Sequence, residues 1–216
     1  MAQWGRPQRI RVDNGVPWGK GQELPSALAL WWMGLGIEVV WIPPGKPQYN
    51  GVVERAQGVL QQWAEPHTWQ DFQSGQARLA WAVEMQREGY RGKDGKTRLE
   101  RFPELRTAGR PYRPEEEAAI WSLAEVDRRL ATGSWKRKVG KTGQISLYNW
   151  AYSVGRQYAR QQVFLQWDAQ KREWQVRDER GDLIKTLKPK QFDAQAICNL
   201  DIAYVKPSRR KRGTKA

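Results

Sequence analysis

The first 66 residues alternate between short β-type segments and longer helical ones. Residues 9–12, Arg-Ile-Arg-Val, have a period of two and run into Asp13-Asn14-Gly15, which predicts a strand that stops at a turn. Residues 24–35 are rich in Ala, Leu and Trp and precede Gly36, which predicts a helix with a glycine stop. Residues 37–42 form a β-rich run that is closed by two prolines, so we expect a second strand there.

A second helix is predicted after a loop that contains glycine and proline. Asn50 can cap its first turn, and the helix has to end before Pro66. Its apolar residues fall at helical spacing: Val52, Val53, Ala56, Val59, Leu60 and Trp63. The order strand, helix, strand, helix predicts an α/β layer with a mostly parallel sheet over residues 1–66.

The next segment, residues 67–133, is predicted to be a helical connector. It has helical periodicity over residues 68–88 and a polar loop rich in Gly, Lys and Arg over residues 89–113. A proline and three glutamates then begin at Pro114, which is favourable in the first turn of another helix.

The pattern changes to short runs of period two in residues 134–200. These runs occupy residues 144–147, 151–154, 162–167, 173–176 and 183–187. Turn-forming residues separate them, among them the pair Tyr148-Asn149. Several short strands at regular spacing predict a small β-barrel, so the fold class is α/β followed by β. Residues 201–216 form a basic tail.

Charge is distributed unevenly along the 216 residues. Lys and Arg number 37 against 23 Asp and Glu, which gives a formal net charge of +14. Residues 134–216 contain 19 of the basic and 7 of the acidic residues, so the excess lies in the C-terminal third. Such an excess indicates an acidic partner, and a nucleic acid is the one we expect.

The composition excludes several classes of protein. No apolar run approaches the roughly 20 residues of a membrane span, and the first residues lack the apolar stretch of a secretory signal. The one cysteine, Cys198, rules out an internal disulfide and a zinc ribbon, and we expect it to be a buried apolar residue. The one histidine, His67, excludes a multi-histidine metal site and disfavours a Ser-His-Asp hydrolase. Most of the 13 tryptophans are expected in the core.

Two carboxylates stand where an α/β fold carries its chemistry. Asp13 ends the first predicted strand, and Glu54 lies one turn into the helix after the second. Ligands of such folds bind outside the carboxyl ends of the strands, and a helix alongside can turn one face toward that edge. Both carboxylates could then reach one hard divalent cation such as Mg²⁺. Ions held in this way serve phosphodiester displacement, which indicates a nuclease or a strand transferase.

Each of these residues also has an ordinary structural interpretation. Asn14-Gly15 is a strong hairpin signal, although the residues after it include a proline and two glycines and would form a poor returning strand. A glutamate in the first turn of a helix is commonly a solvated residue that the helix dipole favours. The spacing alone leaves both interpretations open.

The motifs around the two carboxylates resemble those of a known enzyme family. Residues 9–15, RIRVDNG, followed by residues 43–55, PPGKPQYNGVVER, resemble the second half of the integrase catalytic core of D-D-E transposases and retroviral-type integrases, in particular the bacterial insertion-sequence branch. Residues 152–155 and 178–181 are similar to the small barrel that follows the core in bacteriophage Mu-type transposases. The resemblance implies the C-terminal half of a ribonuclease-H-like core, a helical connector, and a DNA-binding barrel of the Src-homology-3 type.

The resemblance also implies roles for individual residues. Asp13 would be the second catalytic aspartate of the family and Glu54 its catalytic glutamate, both as ligands of Mg²⁺ or Mn²⁺. The residues that would shape the active-site loop and the start of the glutamate-bearing helix are Asn14, Gly15, Asn50 and Gly51. The implied reaction is metal-dependent strand transfer, in which water or a 3′ hydroxyl attacks a phosphodiester of double-stranded DNA. An oligomer with a second transposase chain, in the bacterial cytoplasm and associated with the nucleoid, is implied as well.

The chain departs from the family pattern on its N-terminal side. The family carries a first aspartate on a strand tens of residues before the second, whereas twelve residues precede Asp13 and none of them is acidic. We therefore expect a transposase truncated from its N-terminal side, with a weak, incomplete metal site. We also expect an unpaired sheet edge where the family has its first strand.

Candidate DNA contacts lie in two regions of the sequence. Beside the catalytic motifs, the basic candidates are Lys46 and Arg55. In and after the predicted barrel, the aromatic and basic candidates are Trp135, Lys136, Arg137, Lys138, Lys188, Lys190, Arg209, Arg210, Lys211 and Arg212.

Three functions follow from these observations and stay open at this stage. The first is a DNA transposase or integrase. The second is a non-catalytic DNA-binding remnant or regulator of an intact transposase, which the absent first aspartate supports. The third is an RNA-binding or structural module whose basic barrel acts alone.

Overall fold

The computed structural model describes residues 1–19, 23–64 and 69–199, so His67 and the predicted contacts Arg209, Arg210, Lys211 and Arg212 lie outside the described residues. Its helices and strands are β1 (Arg9–Val12), α1 (Ala27–Gly34), β2 (Glu38–Trp41), α2 (Gly51–Ala64), α3 (Phe72–Glu84), α4 (Arg98–Arg101), α5 (Glu117–Ile120), α6 (Leu123–Leu130), β3 (Ser134–Lys138), β4 (Gln144–Leu147), β5 (Trp150–Ser153), β6 (Gln162–Asp168), β7 (Glu173–Arg177), β8 (Leu183–Leu187) and α7 (Ala194–Cys198). None of the helices in this part of the chain is long and apolar enough to cross a membrane.

The N-terminal part is a mixed α/β unit built on a parallel pair of strands. β1 and β2 pair in parallel, with Arg9 opposite Glu38 and Val12 opposite Trp41. A parallel pair needs a crossover connection, and α1 lies within that connection. The predicted order of strand, helix, strand and helix is confirmed. Within the described residues the sheet has two strands, so the outer edge of each is open.

α1 begins later than predicted because its cap is a residue inside the predicted helix. The Ser26 hydroxyl accepts a hydrogen bond from the Ala29 N–H at 3.2 Å, so the helix starts at residue 27 instead of residue 24. The predicted stop is confirmed, since Gly36 has φ +69°, a left-handed conformation that favours glycine.

α2 packs against a neighbour that the sequence did not predict. A single 3₁₀ turn over Pro47–Asn50 leads into the helix, so Asn50 ends that turn and is not a separate cap. Val52 and Val53, from the predicted apolar face, are 85% and 50% exposed. The helix packs mainly on α3, and the side chain of Gln86 just beyond α3 donates to the Ala56 carbonyl at 3.5 Å.

The connector contains more structure than the polar loop predicted for residues 89–113. Thr97 and Glu100 form a capping box that starts the short helix α4, which the sequence analysis missed. Asp94, just before it, forms an ion pair with Arg101 at 2.5 Å. The predicted helix at Pro114 is a 3₁₀ turn followed by α5 and then by α6.

The C-terminal part is a four-stranded antiparallel sheet in the order β3-β6-β7-β8, with β4 and β5 forming a separate hairpin. The five predicted strands are confirmed, but β3 was missed. In the described residues the sheet does not close into a barrel. Tyr148 and Asn149 form the predicted turn between β4 and β5, with φ values of 47° and 68° that suit a tight hairpin connection.

Two hydrophobic clusters form the core, and α1 contributes to both. Leu30 and Met33 belong to the larger cluster, with residues of α6 and of the C-terminal strands. Ala29 and Trp32 belong to the smaller one, which covers the β1–β2 pair. The N-terminal α/β unit and the C-terminal sheet therefore share buried side chains.

Two residues are corrected from their predicted environments. Trp135 is 7% exposed and packs edge-on against Trp174, with ring centroids 5.9 Å apart, so its indole is part of the core and not of the surface. Cys198 was expected to be buried, but it is exposed because it ends the short helix α7.

Candidate active site

The site begins where the two parallel strands end. Asp13 directly follows β1, and Ile42 directly follows β2, so both lie at the same edge of the sheet. The Ile42 N–H donates to the Val12 carbonyl at 2.9 Å, which extends the pairing by one residue. The Asn14 side-chain amide donates to the Ile42 carbonyl at 2.6 Å. The loop after Asp13 is therefore tied to the end of the neighbouring strand.

Glu54 reaches this edge through the turn that precedes α2. The 3₁₀ turn follows the loop after β2, and Glu54 lies in the first turn of the helix. A cleft of about 270 Å³ opens between these elements, lined by Asp13, Asn14, Ile42, Pro43, Gly45, Lys46, Asn50 and Glu54. The structure thus brings both predicted carboxylates into one cleft.

The two carboxylates of the cleft are available to a ligand. Asp13 and Glu54 are exposed, and neither side-chain carboxylate forms a hydrogen bond or an ion pair with another residue of the ranges 1–19, 23–64 and 69–199. Lys46 adds a positive charge to the lining, with its Nζ 6.0 Å from the centre of the Tyr49 ring. The lining therefore combines two anionic groups with one cation.

Asp13 and Glu54 supply oxygen donors, which hard divalent cations such as Mg²⁺ prefer. Across the described part of the chain, no group of three or more His, Cys, Asp or Glu side chains is placed to hold a metal ion. The carboxylates of Asp13 and Glu54 are thus the two groups of this cleft that could serve as oxygen ligands.

The remaining loop and helix residues differ in their closeness to the cleft. Gly51 begins α2 without lining the cleft, and Arg55 lines a separate groove between α2 and the segment after α3. Gly15 pairs with Gly19 in an isolated antiparallel bridge, but among the described residues no strand returns along β1. The hairpin alternative is therefore wrong, since β1 pairs with β2.

An arginine that the sequence analysis missed holds the other end of the strand pair. Arg110 donates hydrogen bonds to the carbonyl oxygens of Arg6, Pro7 and Gly36, which precede β1 and β2. Partial burial, and then the nearby charge of Arg6, lower the pKa of the Arg110 guanidinium. The sequence placed Arg110 in a polar loop, and its local pattern gives no sign of these contacts 74 to 104 positions away.

The C-terminal candidates for DNA contact divide into exposed and engaged residues. Lys136 and Lys138 alternate with buried Trp135 on β3 and point away from the core, while Arg137 is half-buried and donates to the Lys136 carbonyl. Lys188 is exposed. Lys190 donates to the Ala151 carbonyl at 3.3 Å, so its ammonium group already has a protein partner.

Comparison of the chain with models of known protein families gave no match.

Proposed function

We propose that this chain is the C-terminal part of a D-D-E DNA transposase or integrase. Asp13 and Glu54 would be two of its three metal-binding carboxylates. One observation carries the proposal: the two residues are 41 positions apart in the sequence, yet they line the same cleft beyond the ends of two parallel strands. If Asp13 were only a solvated turn residue and Glu54 only a solvated helix residue, nothing would require them to line the same cleft.

The residues of the cleft have separate tasks in this proposal. Asp13 and Glu54 would hold Mg²⁺ or Mn²⁺, and such an ion would supply Lewis-acid activation of a phosphodiester and of the attacking water or 3′ hydroxyl. Lys46 contacts a phosphate of the DNA backbone. Asn14 keeps the loop of Asp13 against the end of β2 through its bond to the Ile42 carbonyl.

The third carboxylate of such a site would come from outside the described residues. The strand that carries it in the resembling family lies next to the strand equivalent to β1, and the free edge of β1 leaves room for it. A second transposase chain or a longer form of this chain would supply it.

The C-terminal strands form the DNA-binding part, and we propose that they represent a barrel of the Src-homology-3 type. Side chains of the β4–β5 hairpin, among them Ile145 and Tyr152, share the larger core cluster with the sheet. Lys185 of β8 also donates to the Ser153 carbonyl of β5 at 2.9 Å. Double-stranded DNA is the proposed partner, and exposed Lys136, Lys138 and Lys188 are the proposed phosphate contacts.

A non-catalytic DNA-binding protein is the second candidate. The observation in its favour is that the described residues contribute two carboxylates to the cleft and no group of three. Such a protein would bind element ends, or recruit or inhibit an intact transposase, without strand transfer.

The deciding experiment is a DNA nicking and strand-transfer assay with Mg²⁺ and Mn²⁺ on the chain and on three variants. Glu54→Gln and Asp13→Asn remove one charge each from the cleft, and Glu84→Gln on α3 is the control for an exposed glutamate elsewhere. Activity that needs the metal, is lost in the two cleft variants and persists in the control supports the enzyme. Absence of activity, with equal and salt-sensitive DNA binding by all four proteins, supports the binding protein.

Binding of Mn²⁺ to the chain alone provides a second readout that does not need activity. Electron paramagnetic resonance should detect weak binding, and both cleft variants should weaken it about tenfold or more, because each loses a charged oxygen ligand. Identical Mn²⁺ titrations of the chain and of Glu54→Gln would contradict a shared metal site.

A further inference from the structure

The outer face of the C-terminal sheet, opposite its core, is polar and open. Alternation along the strands puts Trp135, Val163 and Leu165 into the core. The residues that alternate with them and form the outer face are Ser134, Lys136, Lys138, Gln162, Phe164, Gln166, Asp168, Glu173, Gln175 and Arg177. Within the described structure no helix packs closely on this face, since α6 contacts β6 from the core side through Val126 and Leu130.

Phe164 is a half-buried aromatic residue of this face. It belongs to neither hydrophobic cluster, although the sheet beneath it is rich in buried tryptophan. In the register of the sheet Phe164 lies between Lys136 on β3 and Arg177 on β7. The Lys136 Nζ is 5.5 Å from the centre of its ring. An aromatic ring on a sheet surface between two cations is the arrangement that stacks on a base and holds the adjoining phosphates.

The guanidinium beside Phe164 is fixed in position. Arg177 donates through Nε to the Gln166 side chain at 2.9 Å and through Nη2 to the Gln175 side chain at 2.7 Å. Its Nη1 donates to the Gly181 carbonyl at 2.9 Å. Three hydrogen bonds hold the guanidinium in one position, so little side-chain entropy is lost when a ligand covers it.

Two arginines and two acidic residues lie beyond one end of the face. A cleft of about 480 Å³ lies next to Gln162 and is lined by Arg160, Gln161, Gln162, Asp178, Glu179 and Arg180. The Asp178 carboxylate in this cleft accepts the N–H groups of Arg180 and Asp182, so it stabilises the turn. Asp168 and Glu173 lie at the opposite end of the face. A polyanion would therefore lie across the end with Lys136, Lys138 and Arg180.

We propose that this outer face binds an unpaired DNA strand, with a base stacked on Phe164 and the neighbouring phosphates on Lys136, Lys138 and Arg180. The inference rests on the proposed function in taking DNA as the partner and Lys136 and Lys138 as phosphate contacts, and it adds that the DNA beside Phe164 is locally unpaired. Paired bases are stacked on each other inside a duplex, so the Phe164 ring could reach a base face only where the duplex is open.

The test compares a fluorescently labelled oligo(dT) with a duplex of the same length, by fluorescence anisotropy on the full chain. Phe164→Leu keeps an apolar side chain but removes the ring, and it should weaken oligo(dT) binding about tenfold while changing duplex binding less than about twofold. Phe164→Trp should restore the affinity for oligo(dT), because it restores a ring. Phe72→Leu, at an exposed phenylalanine on α3, is the matched control and should behave as the unmodified chain.

Three results would overturn the proposal. The first is an equal loss of affinity for oligo(dT) and for the duplex in Phe164→Leu, and the second is unchanged affinity of this variant for both. The third is a higher affinity of the unmodified chain for oligo(U) than for oligo(dT), which would make the partner RNA. Circular dichroism and the thermal midpoint of each variant separate a lost contact from a lost fold. The strand-transfer assay on Asp13 and Glu54 variants is independent of these measurements, so failure of one proposal is distinguishable from failure of the other.

Discussion

The side-chain amide of Asn14 donates to the main-chain carbonyl of Ile42 at 2.6 Å, which ties the residue after Asp13 to the end of the adjacent strand. Asn14→Ala should lower the free energy of unfolding by about 1 kcal/mol, the usual value of a hydrogen bond of this kind. Asn14→Asp should cost more, since a carboxylate cannot donate to the carbonyl and adds a negative charge beside Asp13. Urea unfolding measures both.

The control for the two Asn14 variants is Gln48→Ala, at an exposed position in the nearby 3₁₀ turn. Its unfolding midpoint should equal that of the unmodified chain. A midpoint for Asn14→Ala that is also unchanged would mean that the bond contributes nothing to the stability of the strand ends.

The same substitution should have opposite effects at two helical glycines. A Cβ on Gly34, at the end of α1, would lie 2.1 Å from the Trp121 ring, whereas a Cβ on Gly58 in α2 would have no atom within 4 Å. Gly34→Ala should therefore destabilise the protein by about 1–3 kcal/mol through overpacking. Gly58→Ala should stabilise it by about 0.5–1 kcal/mol, because alanine loses less backbone entropy in a helix. Thermal unfolding of the two variants under identical conditions makes the comparison, and equal shifts would refute it.

Part of the stability should be lost in acid through Glu125 of α6. Hydrogen bonds first from Arg128 and then from Arg129 hold the pKa of the Glu125 carboxyl below its ordinary value of 4.5. Because the folded pKa is the lower one, this contribution is present above pH 4.5 and disappears as the pH falls through the folded pKa. Urea midpoints at pH 7 and pH 3 should therefore differ more for the unmodified chain than for Glu125→Gln. Parallel pH profiles of the two proteins would count against this assignment.

The exposed lysines of β3 should act on duplex DNA through its phosphates. Lys138→Gln should lower the slope of log affinity against log salt by about 0.9, the value for one released counterion, and weaken all duplex sequences alike. Lys171→Gln is the control, since Lys171 is exposed in the turn next to Asp168 at the acidic end of the sheet. Equal slopes for Lys138→Gln and for the unmodified chain would mean that Lys138 does not contact a DNA phosphate.

The elements that could be predicted from the sequence are those with a strong local signal. β1 and β2 are period-two or β-rich runs bounded by turn residues, and their parallel pairing follows from the helix between them. From that topology the meeting of Asp13 and Glu54 at one edge could be anticipated, and the common cleft bears this out.

The missed elements lack such a signal or depend on distant contacts. β3 contains one apolar residue, Trp135, followed by three basic ones. With a single apolar position, the sequence shows no alternation of apolar and polar residues that would indicate a strand. Four residues of α4 are too few for helical periodicity, although the Thr97 to Glu100 spacing was a usable capping signal. The apolar stripe of α2 indicated a buried face without identifying the neighbour, and the structure leaves Val52 on the surface.

α1 carries neighbouring side chains that enter different clusters, with Leu30 and Met33 packed among residues of α6 and of the C-terminal strands, and Ala29 and Trp32 packed on β1 and β2. The protein cannot be divided at the connector into two autonomous fragments, because recombinant C-terminal strands without α1 would carry an uncovered apolar surface. Any assay of DNA binding therefore has to use the intact chain. If a shorter fragment did not bind DNA, misfolding of the fragment would explain the result without any change in recognition.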